Sequence, residues 1–127
     1  MDFESKEQQH AFNFPFQVGT NGDNPMNGES NAHNVANGDI LIVGSDGLWD
    51  NLHKSSVLDI VNPFLKAGPK IENPTLVAEL IAQEAERQSY LQNSMSPFAQ
   101  SAKEHNYHYR GGKPDDITVV VAQIQLK

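Results

Sequence analysis

The chain has 127 residues, 38% of them apolar, and nine Lys/Arg against sixteen Asp/Glu give a formal net charge of −7. That length fits one domain with a modest core, and the acidic balance, with no Lys/Arg cluster longer than two, argues against nucleic acid or an anionic membrane as the main partner. The absence of cysteine excludes a disulfide, a thiolate nucleophile and a thiolate metal site. No apolar run is long enough to span a membrane, and the acidic N-terminus carries no signal-like or Arg-rich segment, so no targeting peptide is expected within this sequence.

In chain order, His10 to Val18 alternates apolar and polar residues from Phe12 onward, with Pro15 interrupting, which predicts an edge strand. Asparagines at 21, 24, 27, 31, 34 and 37 make residues 19–38 turn material, expected as a mobile loop. The domain organisation expected is one partial domain: a loosely structured lead-in over 1–37, with a possible edge strand, and an ordered part over 38–127. Asp39 to Ser45 is a nearly continuous aliphatic run, which predicts a strand buried on both faces. Ser56 three residues before Asp59 reads as a capping box for a short helix with Val57, Leu58, Ile60 and Val61 inward, ended by Pro63. Asn73 as cap and Pro74 at the first position open a second helix with Leu76, Val77, Leu80, Ile81 and Ala85 on one face. Ser96-Pro97 begins a third helix to about Lys103, a Tyr/His-rich loop runs from His105 to Gly112, and Asp116 to Ile124 is the strongest strand signal in the chain.

Two acidic segments carry the chemistry: Ser45-Asp46-Gly47-Leu48-Trp49-Asp50-Asn51 after one strand and Gly112-Lys113-Pro114-Asp115-Asp116-Ile117-Thr118 before another. Each puts a carboxylate at a strand terminus, where two such groups suit a hard cation. Taken alone, Asp46 reads more readily as an Asp-Gly turn than as a metal ligand, and Asp115 more readily as a turn anchor than as one. Adjacent residues point to opposite faces of a strand, so at most one of Asp115 and Asp116 faces the same cleft as Asp46. Asp50-Asn51 reads as helix-entry chemistry and Trp49 as a packing anchor. His105 and His108 read as a surface loop, Gly111-Gly112-Lys113 lacks the spacing of a phosphate-binding loop, and no acid or oxyanion motif supports Ser45, Ser55 or Ser56 as a nucleophile.

Together the two segments resemble the C-terminal signatures of the metal-dependent protein phosphatases, the protein phosphatase 2C (PPM) family. Gly38 to Asn51 is similar to its buried strand and Asp-Gly-Leu/Ile-Trp-Asp element, and Asp115-Asp116-Ile117-Thr118-Val119 to its Asp-Asn-Ile-Thr-Val element, with Asp116 in place of Asn. That replacement, Lys113-Pro114 ahead of it and Phe12-Asn13-Phe14-Pro15-Phe16-Gln17 are similar to the organellar branch. The resemblance implies an α+β fold, the C-terminal part of an α-β-β-α sandwich, and hydrolysis of phosphoserine or phosphothreonine in proteins by a metal-activated water, with no covalent phosphoenzyme. It implies Mg²⁺ or Mn²⁺ as cofactor, two ions in a complete family site, with Asp46 and Asp115 as metal ligands here. Asp116 stands at a position that is normally Asn and is assigned no metal bond. A phosphoprotein substrate and a mitochondrial or other organellar location are further expectations.

The resemblance also implies parts with no counterpart before Asp46: a bridging Asp in an Asp-Gly-rich loop, further acidic ligands and a phosphate-contacting Arg. The chain is therefore expected to be the C-terminal half of a phosphatase domain, catalytically negligible alone. Half a sandwich also leaves an apolar sheet face, so a protein partner covering that face is expected. The competing expectation is a non-catalytic structural or interaction subunit derived from the same fold.

Overall fold

Asn13 adopts a left-handed conformation, φ 54°, which asparagine tolerates better than most residues, and the chain turns back on itself there. The expected edge strand is therefore a small hairpin, β1 (Gln9–Ala11) antiparallel to β2 (Phe14–Pro15). The computed structural model describes residues 3–127 and divides into two compact units, one ending at Asn34 and the other Val35–Lys127. In the first unit the Asn-rich stretch is a bonded turn: Asn24 caps a 3-10 turn over Pro25–Asn27 by accepting from the Met26 amide at 2.9 Å. The Gln8 amide side chain spans it, donating to the Asn27 carbonyl and accepting from the Glu29 amide. Asp23 accepts from the Gln17 amide at 2.7 Å and meets His10 Nε2 at 2.8 Å; these contacts, the Gln17 bond foremost, hold its carboxyl below the usual range.

In the second unit β3 (Ile40–Gly44) pairs antiparallel with β4 (Val119–Gln123), Leu41 opposite Ala122 and Val43 opposite Val120. Strand alternation turns Ile40, Ile42, Val119 and Val121 toward the helices, where they pack on the core. The opposite face is bare: Leu41, Val43 and Val120 are 52%, 53% and 55% exposed. The expectation of a strand buried on both faces is thus corrected, because helices cover only one side of this sheet. Gln123 fastens the inner face, accepting from the Ile71 amide at 2.7 Å and donating to the Gly38 and Pro69 carbonyls.

A short helix, α1 (Asp46–Trp49), follows β3 directly and delivers Leu48 to the centre of the core. Helix α2 (Lys54–Ala67) starts earlier than the Ser56 reading, with His53 at its cap position and no side-chain capping bond. Pro63 lies inside it instead of ending it. Val57 and Val61 before the proline are buried and Phe64 after it packs against the same core, so tertiary burial outweighs the lost backbone bond. Helix α3 (Pro74–Ser89) is capped as expected, with Asn73 Oδ1 accepting from the Leu76 amide at 3.2 Å. Its buried line is Val77, Ile81, Ala85 and Ser89, a strict four-residue spacing, whereas Leu76 and Leu80 are exposed. Helix α4 (Pro97–Glu104) is capped by Ser96, which accepts from the Ala99 amide at 3.1 Å and donates to the Gly111 carbonyl at 2.7 Å. The core is Leu48, Leu52, Val57, Val61, Ile71, Val77, Ile81 and Ala85, and each of its larger aliphatic side chains contributes roughly 1.5–3 kcal/mol by leaving water.

Candidate functional site

The two acidic segments, whose bonded pairs lie 62 to 73 residues apart in sequence, are sewn together by backbone and short polar side chains. Ser45 lies past the end of β3, and its amide still donates to the Thr118 carbonyl at 3.0 Å. Its hydroxyl donates to the Asp116 carbonyl at 3.1 Å and accepts from the Thr118 amide at 3.0 Å. Gly47 presses against the same stretch, and a Cβ there would collide with the Asp116 carbonyl oxygen. Glycine is needed here for close approach, since its φ is not in the left-handed range.

Asn51 makes the second seam. It is 3% exposed; its Nδ2 donates to the Gly47 carbonyl at 2.8 Å and the Lys113 carbonyl at 2.9 Å, and its Oδ1 accepts from the Lys113 amide at 2.8 Å. The reading of Asp50-Asn51 as helix-entry chemistry is corrected: α2 begins at Lys54, and both side chains reach across to the other segment. Asp50 Oδ2 lies 3.0 Å from Lys113 Nζ, with the Asp50 side chain 14% and the Lys113 side chain 24% exposed. Neither residue was singled out for this role in the sequence, because the pairing depends on a contact between distant positions.

Lys113 is further fixed by aromatic rings. Its ammonium lies 4.4 Å from the centroid of Phe98, which belongs to α4, and Tyr109 meets Phe98 edge-on at 4.9 Å. The Tyr109 hydroxyl donates to the Gly112 carbonyl at 2.8 Å. Gly111 and Gly112 pack against the backbone at the end of α3 and just beyond, where side chains would collide. Gly112 permits this close packing, and Gly111 also holds a left-handed φ of 92° that favours glycine.

Asp46, the first residue of α1, and Asp115 are both exposed, and Asp115 Oδ1 accepts from the Asp116 amide at 2.7 Å. Both carboxylates act electrostatically on the same Asp50–Lys113 pair. Burial pushes the Asp50 carboxyl above the ordinary carboxylate range; Lys113 pulls it back, and Asp46 and Asp115 add to the upward push. Burial disfavours the Lys113 charge, but Asp50 with Asp46 and Asp115 outweighs it and holds the ammonium above the usual lysine value.

Hard carboxylate oxygens suit Mg²⁺ or Mn²⁺, and a lysine ammonium already drawn to them marks a locally negative site. Among the described residues, however, no group of three or more His, Cys, Asp or Glu side chains is arranged to hold a metal ion. Asp46 and Asp115 are exposed carboxylates of the hard-oxygen type that such an ion takes, and as two donors they fall short of a coordination shell of their own. His53, facing the Met95 carbonyl at 2.9 Å, and His105, facing the Ser101 carbonyl at 2.8 Å, are engaged with backbone elsewhere.

A solved structure described as the X-ray structure of the photosystem II phosphatase PBCP matches 98% of this chain with a TM-score of 0.82 at 24% identity, using 51% of that chain. The fold is thus that of about half of that chain, α+β as expected. A family profile described as Protein phosphatase 2C matches residues 29–94, more than half the sequence, and the chain belongs to the protein phosphatase 2C family. It is 40% identical over 124 residues to "Probable protein phosphatase 2C 55" of Arabidopsis thaliana, covering 96% of this chain and 26% of that one. It is 37% identical over 127 residues to "Protein phosphatase PTC7 homolog" of Homo sapiens, covering 93% of this chain and 41% of that one. The chain spans well under half the length of these relatives.

Proposed function

We propose that this chain supplies one part, the C-terminal half, of the centre of a Mg²⁺- or Mn²⁺-dependent protein serine/threonine phosphatase, with Asp46 and Asp115 as its metal ligands. The observation that carries this reading is the double seam through Ser45 and Asn51, which gathers both motifs around one Asp50–Lys113 pair in a chain of this family. A bound divalent ion supplies activation of water for attack on phosphorus and neutralisation of charge on the phosphoryl oxygens. The chain's own contribution is positional. Ser45 and Gly47 set the start of α1 against the Asp116 backbone, Asn51 fixes Lys113, and the carboxylates of Asp46 and Asp115 are left exposed to accept a cation.

The substrates on this reading are phosphoserine and phosphothreonine side chains of proteins. Two carboxylates hold Mg²⁺ weakly, since that ion dehydrates reluctantly and borrows ligands from its substrate. Remaining donors and the phosphate contact then come from the complementary half of a phosphatase domain, which also covers the exposed face of β3 and β4. An organellar, mitochondrial location is supported by the similarity of the Lys113-Pro114-Asp115-Asp116 segment to that branch of the family.

The test is Mn²⁺ titration calorimetry on the purified chain beside Asp46→Ala and Asp115→Ala. Weak binding that disappears in both variants is the expected result. A folded chain that binds no Mn²⁺, or that binds it equally in both variants, would move the function to a non-catalytic structural subunit.

A further inference from the structure

Lysine ammonium groups ordinarily extend into water, because ordering a four-carbon stem costs rotamer entropy. Lys113 does the opposite. Its backbone is clamped at both N–H and C=O by Asn51, its Nζ is 3.0 Å from Asp50, and the face of Phe98 closes one side at 4.4 Å. Phe98 is itself held by the edge-on Tyr109 and by its own amide donating to the Asp50 carbonyl at 3.0 Å. Asp50 and Asn51, just past α1, and Phe98 of α4 thus fix this lysine two residues before Asp115, and Asp46 and Asp115 both act on its charge.

Resting on that assignment of Asp46 and Asp115, we propose that Lys113 is the internal counter-cation of this cluster: it engages Asp50, offsets the charge of Asp46 and Asp115, and thereby limits how tightly a divalent ion is held. The charge count is simple. Asp46, Asp50 and Asp115 with Lys113 sum to −2, the charge that one divalent ion neutralises. Removing the lysine leaves −3 and strengthens the attraction for a dication, while removing Asp50 alone leaves −1 and weakens it.

The test compares Mn²⁺ affinity of the 127-residue chain with Lys113→Met, Lys113→Arg, Asp50→Asn and the double variant Asp50→Asn/Lys113→Met, each checked for folding by circular dichroism. Lys113→Met is expected to bind roughly five- to twentyfold tighter, from one unit charge acting across several ångströms of partly solvated protein. Lys113→Arg and the double variant return to the unsubstituted affinity, and Asp50→Asn binds more weakly. A purely structural role gives a different order, with Lys113→Met, Asp50→Asn and the double variant all weaker. That order, or unchanged affinity in a folded Lys113→Met chain, overturns the proposal. Asp46→Ala and Asp115→Ala run alongside separate the two levels. Retained binding in both removes the metal assignment and the proposal with it, whereas loss in both with Lys113→Met no tighter removes the Lys113 proposal alone. Absence of Mn²⁺ binding in every chain overturns both.

Discussion

Asn51 shows how one buried amide can decide the geometry of a site. Its side chain satisfies the Gly47 carbonyl and both backbone polar groups of Lys113, so it acts as a piece of β-ladder between segments with no ladder of their own there. Asn51→Ala would leave these groups without partners in a largely dry region. The expected loss is about 2–4 kcal/mol of unfolding free energy, read by urea denaturation. Because the Lys113 segment carries Asp115, the same variant is expected to weaken Mn²⁺ binding as well. A loss below about 0.5 kcal/mol, typical of an unremarkable surface substitution, would show that the seam is held elsewhere. The sequence presented Asn51 as a polar residue before a helix, and nothing local distinguishes a cap from a bridge to residue 113. The positions of Asp46 and Asp115 beside aliphatic runs are visible in the runs themselves, whereas their role toward a metal belongs to the proposal above.

At the scale of elements, caps were readable and interruptions were not. Asn73 and Ser96 each precede a proline and each caps the helix that follows, since capping depends on residues within one turn. Equally local grounds make Pro63 a terminator, yet α2 continues to Ala67. Burial of Phe64 against the core favours continuing the helix, and no local rule contains that term. Pro63 therefore sits at a helix-interior position that costs stability, on the exposed side of α2. Pro63→Ala restores a donor for the Asp59 carbonyl and removes the ring clash, offset in part by the freer unfolded chain. A gain of about 1–2 kcal/mol is expected, seen as a higher thermal midpoint. A lower midpoint would mean that the proline ring contributes packing of its own.

At the scale of the whole molecule, the outstanding feature is the bare face of β3 and β4. Leu41, Val43 and Val120 expose more than half of their surface on a sheet whose other face packs on the core. An apolar face of this kind invites association. The directly opposed pair Val43 and Val120 provides the test. Val43→Lys with Val120→Glu is expected to lower dye binding to exposed apolar surface and to reduce self-association in light scattering. The thermal midpoint is expected to shift by little, since both residues are more than half exposed and opposite charges across a strand pair attract. A large fall in the midpoint would show that this face already contributes to the folded state.

Residue patterns alone were enough for the family, the α+β class, the existence of both strands and of the three longer helices, and the positions of the two acidic segments. All of these rest on patterns contained within a dozen residues: strand alternation, caps, and acidic turns at strand ends. Long-range packing was needed to bring Asn51 and Asp50 to Lys113, to carry α2 through Pro63, and to leave one face of the sheet uncovered. Those outcomes depend on which distant residues become neighbours, and hydrogen bonds or burial gained across such contacts outweigh the local preferences that a sequence displays.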